Sequence, residues 1–220
     1  MTKAAFATAL LAAAALSSLP WPAAAQPARS PDCVRANDEV TRYRLGHDRS
    51  GAPNAVDPLR AVRAGSAAYA RCEGDGAFLL AFSMAKIDAA KDIRRTPLNQ
   101  RTSLFNEGVA GLELLRRQVL KGQSDRYEVF NTLGLTYYDL QQYDRSVAVL
   151  SEGQKFAGKM TRASQQNTFF TLGMAQMKLG RRAEASAAFG QASRAGHPAA
   201  AQWQKQALAP LRVRVQMRAN

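Results

Sequence analysis

Apolar residues recur every three or four positions over most of the chain, from about residue 57 to residue 208. Residues with this spacing share one face of a helix, so the pattern predicts a series of amphipathic helices. Asp57-Pro58 is typical of a helix start, whereas Gly122 and Gly180 follow periodic stretches and are typical of helix ends. Runs of β-branched residues are scarce, and alanine is abundant. We therefore predict an all-α chain.

The first 25 residues follow a different pattern. Lys3 precedes an apolar run from Ala4 to Leu16, and two prolines and three alanines follow before Gln26. A positive start, a short apolar centre and an Ala-x-Ala ending are typical of a secretion signal. The alternative is a membrane anchor, which needs about 20 apolar residues, and this run is shorter. We predict cleavage after Ala25, export through the inner membrane, and a periplasmic protein that is not transmembrane once cleaved.

Two further segments lack the helical period. Residues 26–56 are rich in Pro, Ser, Arg and Asn, which predicts an irregular N-terminal segment with at most one short helix around Val34 to Tyr43. In the basic C-terminal tail, residues 209–220, apolar and polar residues alternate, and this period of two is typical of a strand. A lone strand has no pairing partner in an all-α domain. The tail is therefore disordered, a helical continuation, or an extended segment that pairs with a partner's sheet edge.

A short internal repeat is the most specific pattern in the chain. Phe130–Gly134 (FNTLG) recurs thirty-nine residues later as Phe169–Gly173 (FFTLG), and each copy precedes a helix-length run, a turn and a second run. The pattern resembles the tetratricopeptide repeat, a helix-turn-helix unit of 34 residues. The matching residues are Phe130, Leu133, Gly134, Tyr137, Ser146, Leu150 and Gly153 in the first unit and Phe169, Leu172, Gly173, Gln176, Ala185, Phe189, Ala192 and Pro198 in the second.

The resemblance implies antiparallel helix pairs stacked as a short right-handed superhelix, or solenoid, over residues 57–208. Clear repeats fall at about 125–158 and 164–197, and a degenerate pair falls at 77–121. Gly134 and Gly173 would lie where the helices of a pair cross, with Ser146 and Ala185 facing them. The alternative is a chance match in an Ala- and Leu-rich helical bundle.

The resemblance also implies a concave groove lined by the first helix of each unit. The matching positions are Leu79, Phe82, Glu128, Asn131, Leu135, Tyr138, Asp139, Asn167, Phe170, Met174, Met177 and Lys178. This set is unusually apolar, and methionine packs adaptably against varied peptide surfaces. We expect a scaffold or adaptor that binds a protein or peptide segment there. The alternative is that Phe170, Met174 and Leu135 are core residues covered by the final helix or the N-terminal segment.

Charge suggests a second function. Loss of the signal peptide removes one Lys and no acid, which lowers the formal net charge from +13 to +12. From Gly153 onward there are eleven Lys or Arg residues but one acid, Glu184. Such a field attracts anionic partners, here an envelope component such as lipopolysaccharide, acidic lipid or polymer, although a generally basic, soluble face is the alternative. The candidate residues are Lys155, Lys159, Arg162, Arg181, Arg182, Arg194, Arg212, Arg214 and Arg218. Export and the lack of stacking aromatics among these cations make nucleic acid a poor partner.

Cysteine and histidine limit the chemistry. Cys33 and Cys72 are the only cysteines, and in an exported chain they predict one disulfide, with two unpaired thiols as the alternative. The loop-closure model gives such a bond roughly 4 kcal/mol. Two Cys and two His form no metal-ligand cluster, and neither His47 nor His197 has a nucleophile partner in the sequence. We predict no enzyme activity, no metal and no cofactor; the sequence does not predict the oligomeric state.

Overall fold

The structure is a computed structural model that describes residues 29–46 and 55–209. Within these two ranges it contains nine α-helices, one short 3₁₀ helix at Ala157–Lys159 and no strand. The helices are α1 (Pro31–Leu45), α2 (Pro58–Cys72), α3 (Gly76–Lys91), α4 (Leu98–Leu120), α5 (Glu128–Asp139), α6 (Tyr143–Gln154), α7 (Arg162–Lys178), α8 (Arg182–Arg194) and α9 (Ala200–Leu208). The all-α prediction is confirmed. The predicted signal peptide and the tail from Pro210 lie outside the described residues.

Local chemistry explains where several helices begin and end. The backbone N–H of Arg60 donates to the Asp57 carboxylate at 2.9 Å, so Asp57 caps α2 and Pro58 occupies its first turn, as predicted. Gly122 and Gly180 follow α4 and α7 with φ angles of +72° and +74°. L side chains rarely adopt this left-handed conformation, which explains why glycine ends both helices.

Each of the first eight helices packs against its neighbour in the sequence, and α9 packs against α8. The pairs are α1 with α2, α3 with α4, α5 with α6, and α7 with α8. Contacts also join α1 to α3, α5 to α7, and the second helix of each pair to the next helix. The structure therefore has the packing of a helical repeat, whereas the right-handed superhelix stays a prediction.

Glycine has no side chain, and at two positions this lets the helices of a repeat approach closely. A Cβ built on Gly134 would lie 2.4 Å from Cγ of Leu150, and one on Gly173 would lie 2.6 Å from Cε1 of Phe189. The Ser146 hydroxyl donates to the Gly134 carbonyl oxygen at 2.7 Å, across the α5–α6 contact. Both repeat glycines are therefore at the crossing points that the resemblance implies.

The N-terminal segment is more ordered than predicted. The short helix expected around Val34 to Tyr43 is present, and it is longer than predicted, because α1 extends from Pro31 to Leu45. Val40 and Tyr43 are buried against α2 and α3, and the Arg60 guanidinium lies 4.2 Å from the Tyr43 ring centroid. A disulfide joins Cys33 of α1 to Cys72 of α2, with a Cα–Cα distance of 5.4 Å. The loop closed by this bond contains all of α2 and all but the first two residues of α1.

The connections within the four pairs meet at one edge of the molecule, beside the end of α9. Three ion pairs link successive helix ends: Arg44–Asp88, Lys91–Asp139 and Arg181–Asp144, at 3.2, 2.8 and 2.9 Å. Arg182, at the start of α8, donates to the carbonyl oxygen of Gln206 near the end of α9 at 2.9 Å. We call this the hairpin edge (described residues 45–46, 55–57, 92–98, 140–142, 178–181 and 208–209). The opposite ends form the inter-pair edge (residues 73–75, 120–127, 155–161 and 195–199).

Candidate functional site

The residues predicted to line a groove divide into three groups by exposure. Leu79 and Phe82 are buried, with 2% and 3% exposure. Glu128, Asn131, Tyr138, Phe170, Met174 and Met177 are half-buried, and Leu135, Asp139, Asn167 and Lys178 are exposed. The α5 and α7 members lie on helices that pack together. The candidate site is therefore the face shared by α5 and α7, which we call the α5–α7 face.

Leu79 and Phe82 belong to the core of the N-terminal half. The Phe82 ring fills the space beside Gly65 of α2, where a Cβ would lie 2.2 Å from its Cδ2 atom. Leu79 is buried in the central cluster with α4 and α5 residues. Leu80 and Met84 of the same helix are half-buried instead. The weak fingerprint of this pair explains the misplacement: its close contacts use Gly108 and Gly111 of α4 against Ser83 of α3, so the small residues lie on the opposite helix.

Part of the predicted groove on α7 is covered by the final helix. The Phe170 ring stacks on the His197 ring with centroids 3.9 Å apart, and its centroid is 6.4 Å from that of Trp203 in α9. Met174 and Met177 pack against the cluster formed by Phe189 and neighbouring α8–α9 residues. Of the two sequence-based interpretations of Phe170, the contacts agree with the core residue covered by the last helix.

The accessible part of the α5–α7 face is centred on Leu135. This side chain is 44% exposed, although it lies in the middle of α5. The neighbouring Tyr138 ring packs against Tyr143, with centroids 5.4 Å apart. Burial and the nearby Tyr143 and Asp139 raise the pKa of Tyr138 above its ordinary value of 10.0, which is itself well above neutral pH. The face thus offers an apolar side chain beside a neutral hydroxyl.

Behind this face, a polar network fixes α4, α5 and α6 together. The Tyr137 hydroxyl donates to the Glu113 carboxylate at 2.7 Å, and Arg116 bonds both Glu113 and Glu152. Burial raises the pKa of Glu113, but the bonds from Tyr137 and Arg116 outweigh it and hold the pKa below its ordinary value. Burial and the same carboxylate raise the pKa of Tyr137 to about 12. This network serves to hold the helices in register.

Four of the predicted anion-binding residues come together at the inter-pair edge. Lys155, Lys159 and Arg194 are exposed, and Arg162 donates to the Ala195 carbonyl oxygen at 2.8 Å, which brings the start of α7 to the end of α8. The Lys159 ammonium lies 5.7 Å from the Tyr127 ring centroid. These four residues form a cationic cluster.

The remaining anion-binding candidates are elsewhere. Arg181 pairs with Asp144, and Arg182 donates to carbonyl oxygens at the end of α9, both at the hairpin edge. Arg212, Arg214 and Arg218 lie outside the described residues. Cations that are close together in the sequence therefore lie, among the described residues, at two opposite edges of the fold.

Neither metal-binding nor membrane-spanning features occur in the described ranges. Over residues 29–46 and 55–209, no group of three or more His, Cys, Asp or Glu side chains is arranged to hold a metal ion. In the same ranges, no helix combines the length and apolar character that crossing a bilayer requires. The Asp88 carboxylate forms an ion pair with Arg44. Burial lowers the pKa of His197, which favours the neutral imidazole.

Comparison with known proteins gives no relative: no family model, curated protein or solved structure matches the chain.

Proposed function

We propose that this chain is a non-enzymatic helical adaptor of tetratricopeptide type that binds a segment of another protein along the α5–α7 face. The repeat glycines at both crossing points and the contacts between α5 and α7 support this proposal. In such arrays the first helices of successive pairs line one continuous surface. Leu135 and Met174 hold equivalent positions in the two repeats, but Met174 packs against the α8–α9 cluster, so Leu135 is the more accessible of the two.

The exposure of Leu135 is the observation that carries the proposal. A leucine exposed in mid-helix gains little in the free protein, whereas its burial by a partner contributes about 1.5–3 kcal/mol. The neighbouring half-buried Tyr138 adds contact area at low entropic cost, and tyrosine is enriched at interfaces. Exposed Asn167, in the second turn of α7, supplies a hydrogen-bond donor. The surface suits an apolar segment with backbone carbonyl groups free to accept.

A photo-cross-linking residue at position 135 tests the proposal in the native envelope. Leu120 is the matched control, because it is also 44% exposed but lies at the inter-pair edge. We expect a discrete protein adduct from position 135 and none of the same mass from position 120. Leu135→Asp should abolish binding of the identified segment while leaving the circular dichroism spectrum unchanged. Identical adducts from both positions, or full binding by Leu135→Asp, would contradict the proposal.

Phe170→Asp is not a clean test of the same surface. Its ring contacts His197, Phe189 and Trp203, so a buried carboxylate there should unfold the α7–α9 region. Loss of binding by that variant would report lost packing as well as a lost contact.

A further inference from the structure

Exposed apolar side chains concentrate at the hairpin edge. Of the nine large apolar residues that are exposed in the described ranges, six lie at the ends of helices on this edge: Leu45, Val56, Ile93, Leu98, Leu140 and Leu208. Ile93, Leu98 and Leu208 are 71%, 76% and 67% exposed, more than any other large apolar residue described. The inter-pair edge has one exposed large apolar residue in the same ranges, Leu120. The two edges are therefore chemically different.

The helix ends that carry these apolar residues form one row, although the residues are distant in the sequence. The ion pairs between successive connections, Arg44–Asp88, Lys91–Asp139 and Arg181–Asp144, hold the helix ends side by side. Arg95 of the α3–α4 connection donates to the carbonyl oxygen of Val56, and Arg182 joins α8 to the end of α9. The row consequently runs from the first pair to the last helix.

The same edge carries cations whose charge is not cancelled. The ion pairs neutralise Asp88, Asp139 and Asp144. The two other acids of this edge are Asp92, which lies 4.0 Å from Arg95, and Asp57, which caps α2. Arg94 and Lys178 are exposed and have no acidic partner among the described residues. Arg101 donates to the carbonyl oxygens of Thr96 and Ile93 at 2.9 and 2.8 Å, which keeps its positive charge beside Ile93. Ile93 therefore has a cation next to it.

The distribution of these groups over separate helix ends favours an extended surface over a single protein partner. A protein interface has a contiguous apolar core surrounded by polar groups, whereas here the exposed apolar side chains belong to six different helix ends on an edge that also carries cations. Anionic bilayers present phosphates above an apolar layer, and they bind proteins through cations and inserted apolar side chains. We propose that the hairpin edge docks on the surface of an anionic phospholipid bilayer, with Ile93 and Leu98 entering the headgroup region. This inference is independent of the function proposed for the α5–α7 face.

Vesicle co-sedimentation of the exported, processed chain tests the inference. We expect binding to vesicles that contain phosphatidylglycerol and little binding to pure phosphatidylcholine. The double variant Ile93→Asn with Leu98→Gln should bind at least about tenfold more weakly, because two inserted side chains are lost. Leu120→Gln is the matched control at the inter-pair edge and should stay within about twofold of the unsubstituted chain. Equal loss in both variants, or no vesicle binding by the unsubstituted chain, would overturn the inference.

Charge variants separate this site from the cationic cluster on the opposite edge. Arg94→Glu with Lys178→Glu and Lys155→Glu with Lys159→Glu change the net charge equally. We expect the first pair to weaken vesicle binding more than the second. If the Lys155 and Lys159 variant abolishes binding while the Ile93 and Leu98 variant retains it, the anion site is the inter-pair edge and the inference fails. The inference also fails if the unsubstituted chain binds a soluble polyanion more tightly than it binds vesicles.

A depth measurement keeps the test valid even where a variant folds poorly. Ile93→Trp should be quenched by brominated lipids in anionic vesicles, and Leu120→Trp should not, after subtraction of the native tryptophan signal. Analytical ultracentrifugation of the same samples identifies the other occupant, a second copy of the chain. A dimer that is abolished by the Ile93 and Leu98 variant, with no lipid quenching at position 93, would assign the row to self-association instead.

Discussion

At the scale of single residues, the distance between paired helices depends on glycine, which has no Cβ atom. Gly134 faces Leu150, which is fully buried and surrounded by neighbouring side chains, so it cannot move aside freely. Ser146 fits the same crossing because its small hydroxyl bonds to the Gly134 carbonyl oxygen. The small residues of the repeat pattern therefore set the distance between the paired helices. The importance of each small position can be tested by a substitution that adds one methyl group.

Gly134→Ala should lower the free energy of unfolding by about 1–3 kcal/mol, the usual cost of overpacking a core. Alanine is the better helix former by about 1 kcal/mol, so any net loss of stability reports the clash. Gly158→Ala is the control, since a Cβ there would meet nothing within 4 Å. Urea unfolding followed by circular dichroism measures both. An alanine at position 134 that is as stable as glycine would show that α5 and α6 are not closely packed there.

Tyr137→Phe should remove about 1–3 kcal/mol of stability near neutral pH, because a charged Glu113 carboxylate loses a donor. The folded-state pKa of Glu113 is below its ordinary value of 4.5. Its contribution is therefore present above that value and is lost as the pH falls through the lower folded-state pKa. The stability gap between the variant and the unsubstituted chain should narrow in acid. Unfolding curves at neutral and acidic pH measure the difference in unfolding free energy between the two proteins. A difference that does not change with pH would exclude the Glu113 carboxylate as its cause.

At the scale of elements, α1 depends on contacts that its own sequence does not reveal. Its apolar side chains are few, and helix propensity alone leaves such a segment marginal. Burial of Val40 and Tyr43 against α2 and α3, and the disulfide, supply the stabilisation. By contrast, the apolar period from about residue 57 to residue 208 predicted the helical character of α2 through α9, and Asp57-Pro58, Gly122 and Gly180 marked the start of α2 and the ends of α4 and α7.

Reduction of the disulfide should destabilise the chain by about 4 kcal/mol, since the bond closes a loop with a sequence separation of 39. Amide hydrogen exchange should then accelerate first in α1, whereas α7 and α8 should keep their protection. The double variant Cys33→Ala with Cys72→Ala provides the control, because a reductant should leave its stability unchanged. Equal protection of α1 before and after reduction of the native bond would show that packing alone holds the helix.

The candidate site was only partly predictable for a related reason. Repeat positions identify which side chains of α5 and α7 share a face, and Leu135 is indeed exposed there. They do not reveal that His197 stacks on Phe170, because that contact joins segments that no helical period relates. The hairpin edge is less predictable still: Ile93 and Leu140 are isolated apolar residues in the sequence, and only the fold brings their connections together.

At the scale of the whole molecule, the two ends of the array are closed differently. The first pair is fixed covalently through Cys33 and Cys72, whereas the last pair is covered by a single short helix, α9. Trp203 packs beside Phe189, with ring centroids 5.9 Å apart, and Ala207 is buried in the same cluster. Repeat arrays need such a terminal element, because the last pair otherwise exposes the face that would bury the next one.

A chain that ends at Ala195 should therefore expose Phe170 and Met174, bind a hydrophobic dye and self-associate. A chain that ends at Ala209 keeps α9 with Trp203 and Ala207, and it should unfold at a higher temperature than the chain that ends at Ala195. Size-exclusion chromatography, dye fluorescence and thermal unfolding compare the two truncations. If the chain that ends at Ala195 stays monomeric and is as stable as the chain that ends at Ala209, α9 is not a cap. Phe170 would then be a candidate for contact with a partner.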